Sequence, residues 1–196
     1  MTERIGAIVL AGGRSSRFGR DKLAEIIDGR PLLEHAIAAV LAVATDVVVV
    51  AAPGSNPDLP KGVLLAHDPV AFEGPLAGLA AGLAELDTSV ERVVAVAGDM
   101  PSLVPAVLRR LLDLVESGAD AAILAHDGDA LPLPMALRRG SAERAVETLL
   151  GGGERRLRAL TGALDAAVMA ESTWRAHDQT AATLDDIDTP EDLLSP

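Results

Sequence analysis

The residues best equipped for chemistry gather in one stretch near the N-terminus. Ala11–Lys22 reads AGGRSSRFGRDK, which places Arg14, Arg17, Arg20 and Lys22 around a single carboxylate, Asp21. The whole chain has 17 Lys and Arg against 29 Asp and Glu, a formal charge of −12. Solubility alone therefore does not account for this knot of cations. Gly12, Gly13 and Gly19 let the backbone approach a ligand closely. Exposed backbone N–H groups beside guanidinium forks and an ammonium suit a polyphosphate. The spacing is not that of the P-loop G-x-x-x-x-G-K-[ST], because Lys22 follows Gly19 by three positions, nor is it G-x-G-x-x-G. By residue type alone the stretch is either an anion cradle or a solvated surface turn.

A second feature is Gly98-Asp99-Met100-Pro101, which closes the apolar run Arg92–Ala97. One carboxylate at the end of a buried strand is well placed for Mg²⁺. That ion takes few protein ligands, keeps several waters and draws other oxygens from substrate phosphates. The same carboxylate could instead cap a helix beginning near Ser102; spacing leaves both open. A third feature is His67-Asp68 followed by Phe72-Glu73-Gly74-Pro75-Leu76-Ala77-Gly78-Leu79. Gly74, Gly78 and Gly82 are four apart and share one helix face. Tight helix–sheet packing explains Gly78 and Gly82, as does close approach of a flat ligand. His67 reads as a polar loop residue.

The frame that must position these groups is an alternation of short apolar runs and helical patterns. The expected strands are Ile5–Leu10, Asp46–Ala51, Val63–Ala66, Arg92–Ala97 and Ala119–Ala125, apolar on both faces as in sheets covered on both sides. Helices are expected over Pro31–Ala44, with Pro in the first turn, and over Pro75–Leu86, Leu103–Glu116, Glu143–Leu150 and Glu154–Leu160. This β-α-β-α-β order predicts an α/β fold in three αβα layers, a mostly parallel sheet and right-handed crossovers. Length and the lack of a linker predict one domain over residues 1–196. Pro53–Pro60 reads as a loop. Asp127–Pro134 (DGDALPLP) breaks the alternation, so it carries either a hairpin or an inserted substrate lobe. The chemical residues fall just beyond the C-terminal ends of the parallel strands, where such folds bind ligands.

Composition removes several classes of function. Hydrophobic residues are 49% and charged residues 23% of the chain, which excludes wholesale disorder. Phe18, Phe72 and Trp174 are the three aromatics, too few for a surface that grips nucleic acid by stacking. The acidic balance argues against binding duplex phosphate or an anionic membrane. With no cysteine there is no disulfide, thiolate zinc site or cysteine nucleophile, and a reducing compartment is suited. No apolar stretch nears the roughly 20 residues of a membrane span, and the N-terminal apolar run is too short for a signal peptide. The expected setting is the cytoplasm.

The stretch LAGGRSSRFGRDK resembles the signature loop L-A-G-G-x-S-x-R-M-G-x-D-K of the nucleotidyltransferases with a Rossmann-like, nucleotide-diphospho-sugar transferase-like fold, with Phe18 in the place of Met. Within them the chain is most similar to the molybdenum cofactor guanylyltransferases, from Ile5 to Leu193. The resemblance implies that Leu10, Ala11, Gly12 and Gly13 contact a guanine nucleotide and that Lys22, with Arg17, holds its phosphates. It implies Mg²⁺ on Asp99 in the D-x-P turn. Asp68, upstream of G-P-L-A-G, would contact the nucleotide through ribose hydroxyls or a base amine. The implied substrates are GTP and molybdenum-molybdopterin, with transient contacts to proteins that deliver molybdopterin or accept the product. Ala125–Leu137 and Gly151–Leu160 resemble the pterin-side half. There His126 and Asp127 are candidate pterin contacts, and Arg155 and Arg158, on one helix face, are candidate phosphate ligands or a solvated face with Glu154.

Two places depart from the pattern. Asp185–Leu193 (DDIDTPEDL) has aspartates where the family commonly has asparagines, a form shared with the cytidylyl-transferring branch. After Val50 the family's usual Asn is replaced by Ala51-Ala52-Pro53, with Asn56 further on, so no base contact carries over. By charge alone the tail, with seven carboxylates against Arg175, reads as an acidic solvated surface. The expected activity is GMP transfer from GTP to the terminal phosphate of molybdenum-molybdopterin. The alternatives are CTP or another phosphorylated acceptor, a non-catalytic nucleotide-binding regulator, and a partner-binding module using the acidic tail.

Overall fold

The structure is a computed structural model and describes residues 4–12, 21–68, 74–189 and Asp192. In chain order it forms β1 (Arg4–Ala11), a 3-10 turn (Lys22–Ala24), β2 (Ile26–Ile27), β3 (Arg30–Pro31), α1 (Leu32–Leu41), β4 (Asp46–Ala51), β5 (Leu64–His67), α2 (Pro75–Glu85), β6 (Val90–Ala97) and α3 (Pro105–Glu116). It continues through β7 (Ala121–His126), β8 (Asp129–Arg138), α4 (Arg139–Gly151), α5 (Leu157–Ala163), β9 (Ala166–Met169), α6 (Glu171–Trp174) and a last 3-10 turn (Ala182–Leu184).

Seven strands make one sheet in the order β5-β4-β1-β6-β8-β7-β9. β5, β4, β1 and β6 are mutually parallel, β8 runs against β6 and β7, and β9 is parallel to β7. Only β8 is reversed, so the expected mostly parallel sheet is what forms. The expected αβα layering follows from residues apolar on both faces. In β4, Val47 and Val49 face a core with α1 and α3, whereas Val48 and Val50 face the core with α2, α4 and α5. Alternate residues point to opposite faces, and neither face can be left wet. α3 buries Val107, Leu108, Leu111, Leu112 and Val115 along one stripe, with Pro105 in its first turn, the spacing of a surface helix.

Several element boundaries shift from expectation, and the shift at α1 has a clear cause. α1 starts at Leu32, and Pro31 is extended (φ −54°, ψ 143°), because it closes the small β2–β3 hairpin. The turn of that hairpin, Asp28-Gly29, has positive φ at both residues, as a type I′ hairpin turn requires. The stretch Asp127–Pro134 resolves as a hairpin: Asp127-Gly128 turns with φ 49° and 85°, and β8 then enters the sheet. No helix among the described residues is long and apolar enough to cross a membrane.

Candidate active site

Parallel topology delivers the ends of β1, β4, β5 and β6 to one edge of the sheet. A cavity of about 710 Å3 opens there, lined by Leu10, Ala11, Gly12, Lys22, Leu23, Val50, Asp68, Gly74, Pro75, Gly78, Ala97, Asp99, Leu133 and Asp188. Leu10, Ala11, Gly12, Lys22, Asp68 and Asp99, six residues expected to meet one ligand, therefore share one space. Gly13 and Arg17 lie outside the described residues, as do Arg14, Phe18 and Arg20.

The sharpest feature of the cavity is at its β6 end. The Lys22 ammonium donates to Asp99 Oδ2 at 2.7 Å, to the carbonyl oxygen of Ile187 at 2.8 Å and to Asp188 Oδ1 at 3.2 Å. Lys22 stands on the short turn after the cationic loop, where the Asp21 carboxylate accepts the Leu23 N–H at 3.0 Å, so Asp21 caps that turn. Burial works against the charge of Lys22, but the hydrogen bonds and charges of Asp99, then of Asp188, outweigh it and raise its pKa above the ordinary lysine value. The Lys22 and Asp99 side chains retain 12% and 21% of their exposure; their attraction is thus less screened than in a surface pair.

Asp99 is held from the backbone as well. The Gly98 N–H donates to the Leu10 carbonyl at 2.9 Å, and the Asp99 carbonyl accepts the Ile187 N–H at 3.0 Å. A Cβ at Gly98 would lie 3.1 Å from Leu33 Cδ1 and 3.4 Å from the Leu10 carbonyl oxygen, so the turn passes close to β1 and a side chain here would crowd it. α3 begins at Pro105 with Val104 before it and no side-chain cap. Asp99 therefore does not cap that helix; its carboxylate faces the cavity.

Asp68 follows β5, is 7% exposed, and its N–H donates to the Ala51 carbonyl at 3.0 Å. β5 and β6 are separated by three strand spacings, about 14 Å at ~4.8 Å each. Asp68 and Asp99 thus stand near opposite ends of the cavity, with the β1 residues Leu10–Gly12 between them. α2 supplies the wall on the Asp68 side. Its glycines divide in role: a Cβ at Gly82 would meet Ile8 Cγ2 at 2.6 Å, whereas one at Gly78 would find ordinary contacts with Leu10 at 3.5 Å and Val50 at 3.7 Å. Gly82 is a packing residue, and Gly78 lines the cavity. His67 is not among the residues lining the cavity; its Nε2 donates to the Ser55 carbonyl oxygen at 2.9 Å. Asn56 lines a neighbouring cavity with Asp21, Glu34 and Asp58, so it does not replace the missing asparagine after Val50.

Sequence reasoning missed Asp188. The charge count made the tail a solvated surface, yet Asp188 lines the cavity and Ile187 is buried against Leu32, Leu23 and Ile27. Asp178 is also buried, accepting the N–H groups of Thr183 at 2.7 Å and Ala182 at 3.0 Å. Asp186 joins the same acidic group; loss of hydration, then the charges of Asp188 and Asp99, push its pKa above the ordinary carboxylate value, against Lys22. The one available signal was the D-I-D-T-P spacing.

The pterin-side candidates do not meet the cavity. α5 begins at Leu157, so Arg155 precedes it and shares no helix face with Arg158. The Arg155 guanidinium donates to the carbonyls of Leu150 and Glu154, closing the end of α4, and its own carbonyl accepts the Leu76 N–H at 3.2 Å. Gly74, with φ 97°, passes so close that a Cβ would lie 2.9 Å from that carbonyl oxygen. The segment thus braces the start of α2. Arg156 pairs with Glu154 at 2.9 Å. His126 and Asp127 gather with Glu171, their donor atoms within 4.8 Å of one another; Glu171 accepts the Asp127 N–H and lies 3.1 Å from His126 Nδ1. This group ties the β7–β8 turn to α6, where Trp174 is fully buried and donates to the Ala125 carbonyl.

The family of the MobA-like NTP transferase domain matches residues 7–168. The chain belongs to that family. It is 35% identical over 196 residues to a probable molybdenum cofactor guanylyltransferase of Chloroflexus aggregans, covering 96% of this chain and 91% of that protein. A protein of the same description from Mycolicibacterium paratuberculosis is 33% identical over 187 residues, covering 92% and 93%. Among solved structures, the molybdopterin-guanine dinucleotide biosynthesis protein A of Archaeoglobus fulgidus superposes with a TM-score of 0.76 at 23% identity, covering 96% of this chain and 95% of that one. The superposition shows a shared fold, and the sequence matches show the family.

Proposed function

We propose that the protein transfers a GMP unit from GTP to the terminal phosphate of molybdenum-molybdopterin, forming the guanine dinucleotide cofactor and pyrophosphate. The observation that carries this is the convergence of Lys22, Asp99 and Asp188 at one end of a cavity that starts at Asp68. The ~14 Å between the ends is of the order of an extended nucleoside triphosphate. The relatives named above bear that activity in their names. In this assignment Asp68 orients the nucleoside, and Leu10, Ala11, Gly12 and Gly13 line the nucleotide with their backbone. Lys22 and Arg17 hold the phosphates.

Asp99, with Asp188, would hold Mg²⁺. The ammonium already lodged among their oxygens supports this fit, since these are hard donors of the kind that ion prefers. When bound, it would supply positive charge to the phosphate oxygens and the departing pyrophosphate. The protein groups act by position and charge. An oxygen of the acceptor phosphate attacks the α-phosphorus in line, the bond from that phosphorus to the bridging oxygen breaks, and pyrophosphate leaves. A phosphate is already largely ionised near neutral pH, so no side chain need remove a proton. The barrier is lowered by alignment and by cationic groups fixed where charge accumulates. The cytoplasm is the proposed setting, in keeping with the absence of cysteine.

The test is pyrophosphate release with GTP or CTP, with and without molybdenum-molybdopterin. Acceptor-dependent release faster with GTP is expected. Faster release with CTP overturns the choice of base, a point sharpened by the aspartates of D-I-D-T-P. Nucleotide binding with no acceptor-dependent release overturns the enzyme assignment.

A further inference from the structure

Lys22 is expected to hold phosphates, yet all three donors of its ammonium face protein oxygens: Asp99 Oδ2, the Ile187 carbonyl and Asp188 Oδ1, at 2.7, 2.8 and 3.2 Å. In this arrangement it cannot reach a phosphate without giving up one of them. Both carboxylates accept from the same ammonium, so a divalent cation seeking those oxygens must compete with it. The arrangement is also tied to the fold: Ile187 donates to the Asp99 carbonyl and is buried on Leu32, so the backbone that carries both carboxylates is held, while the long lysine stem can swing.

We propose that Lys22 is the resident counter-ion of the Asp99–Asp188 pair and that a divalent cation displaces it. Cation entry and the release of Lys22 toward the nucleotide phosphates are then one coupled event. The amine is a cation at neutral pH and leaves these oxygens only when another cation takes its place. The tail segment bearing Ile187 and Asp188 thereby senses what occupies the phosphate end of the cavity. The second half of this coupling, the destination of Lys22, rests on the nucleotidyl-transfer assignment; the competition itself does not.

The test uses the full chain without nucleotide. Mn²⁺ binding is measured by the electron spin resonance of the free ion in wild type, Lys22→Met, Lys22→Arg and Asp99→Asn. Lys22→Met should bind Mn²⁺ about tenfold more tightly than wild type, the factor expected if the ion pair occupies the carboxylates about nine-tenths of the time. Lys22→Arg should show no gain, and Asp99→Asn should lose the site. Equal or weaker binding by folded Lys22→Met overturns the proposal. A measurement on wild type decides the matter if that variant does not fold. The chain has two lysines, Lys22 and Lys61, so ¹⁵N-lysine labelling gives two side-chain signals. Saturating Mg²⁺ should shift the Lys22 ammonium signal and leave that of exposed Lys61 in place. A Lys22 signal unmoved at saturation overturns the proposal. Because no GTP is present, these outcomes are independent of whether GTP-dependent pyrophosphate release is found.

Discussion

Two glycines four residues apart on α2 should respond oppositely to the same substitution. At Gly82 an added methyl would stand 2.6 Å from Ile8 Cγ2 and 3.0 Å from Ile8 Cδ1 and Cγ1. Ile8 is fully buried on β1, which is flanked by β4 and β6, so it has nowhere to retreat. Overpacking of a filled core costs about 1–3 kcal/mol, and replacing a helical glycine by alanine returns about 1 kcal/mol. The net for Gly82→Ala is a loss of about 1 kcal/mol, or a Tm lower by about 2–4 °C in a chain of this size. At Gly78 the methyl meets Leu10 and Val50 at 3.5 and 3.7 Å, ordinary contact, so the helix gain survives and Tm should rise by about 1–4 °C. That methyl, however, stands on the cavity wall, and GTP should bind more weakly. Calorimetric melting and GTP titration of both variants check this. A Gly82→Ala protein as stable as wild type, or a Gly78→Ala protein with unchanged GTP affinity, refutes the division of roles.

Asp99→Asn keeps the shape of the turn but removes the charge that faces Lys22; kcat should fall about 100-fold or more with an unchanged far-UV circular dichroism spectrum, and turnover retained in saturating magnesium would remove Asp99 from the mechanism. Asp178 is expected to confer acid sensitivity. Burial opposes its charge, but hydrogen bonds from Thr183, Ala182 and Thr180 outweigh it and hold its pKa below the ordinary 3.8. The unfolded chain takes up the proton first, so this contribution is complete above about 3.8 and is lost as pH falls through the lower native value. Denaturant midpoints at pH 6 and pH 3 should therefore converge in Asp178→Asn relative to wild type, and parallel falls in the two proteins would contradict it.

The parallel half of the sheet was legible because its signal is local. IGAIVL and DVVVVA are apolar on both faces, and they lie within β1 and coincide with β4. β8 was legible only as one arm of the alternative hairpin over Asp127–Pro134, because its LPLPMAL stretch carries prolines, which ordinarily argue against a strand inside a sheet. The prolines Pro132 and Pro134 fall where pairing with β7 shifts register, between Ile123 and Leu124. The ladder to β6 begins only at Met135, so no proline interrupts it. β9, four residues long, has neither length nor alternation to announce it. α5 starts three residues later than its apolar spacing suggested, since Glu154 captures the N–H groups of Arg155 and Arg156 and holds that stretch out of the helix.

The site divides along the same line. Lys22 and Asp99 were visible because each belongs to a compact local pattern, a glycine-rich cationic loop and a carboxylate in a strand-ending turn. Their contact is a consequence of topology: β1 and β6 are adjacent and parallel, so the loops leaving their C-terminal ends must lie side by side. Asp188 has no such pattern, being 166 positions from the lysine it meets. Counting charges made it part of a repelling acidic surface, but charge counting ignores that a half-buried cation draws anions from whichever segment can reach it. Ile187, whose side chain is buried, brings that segment in, and the carboxylate beside it comes along. The alternation of one buried apolar residue between Asp186 and Asp188 was thus the physical cue that the tail packs, and that one of its acids reaches the cavity.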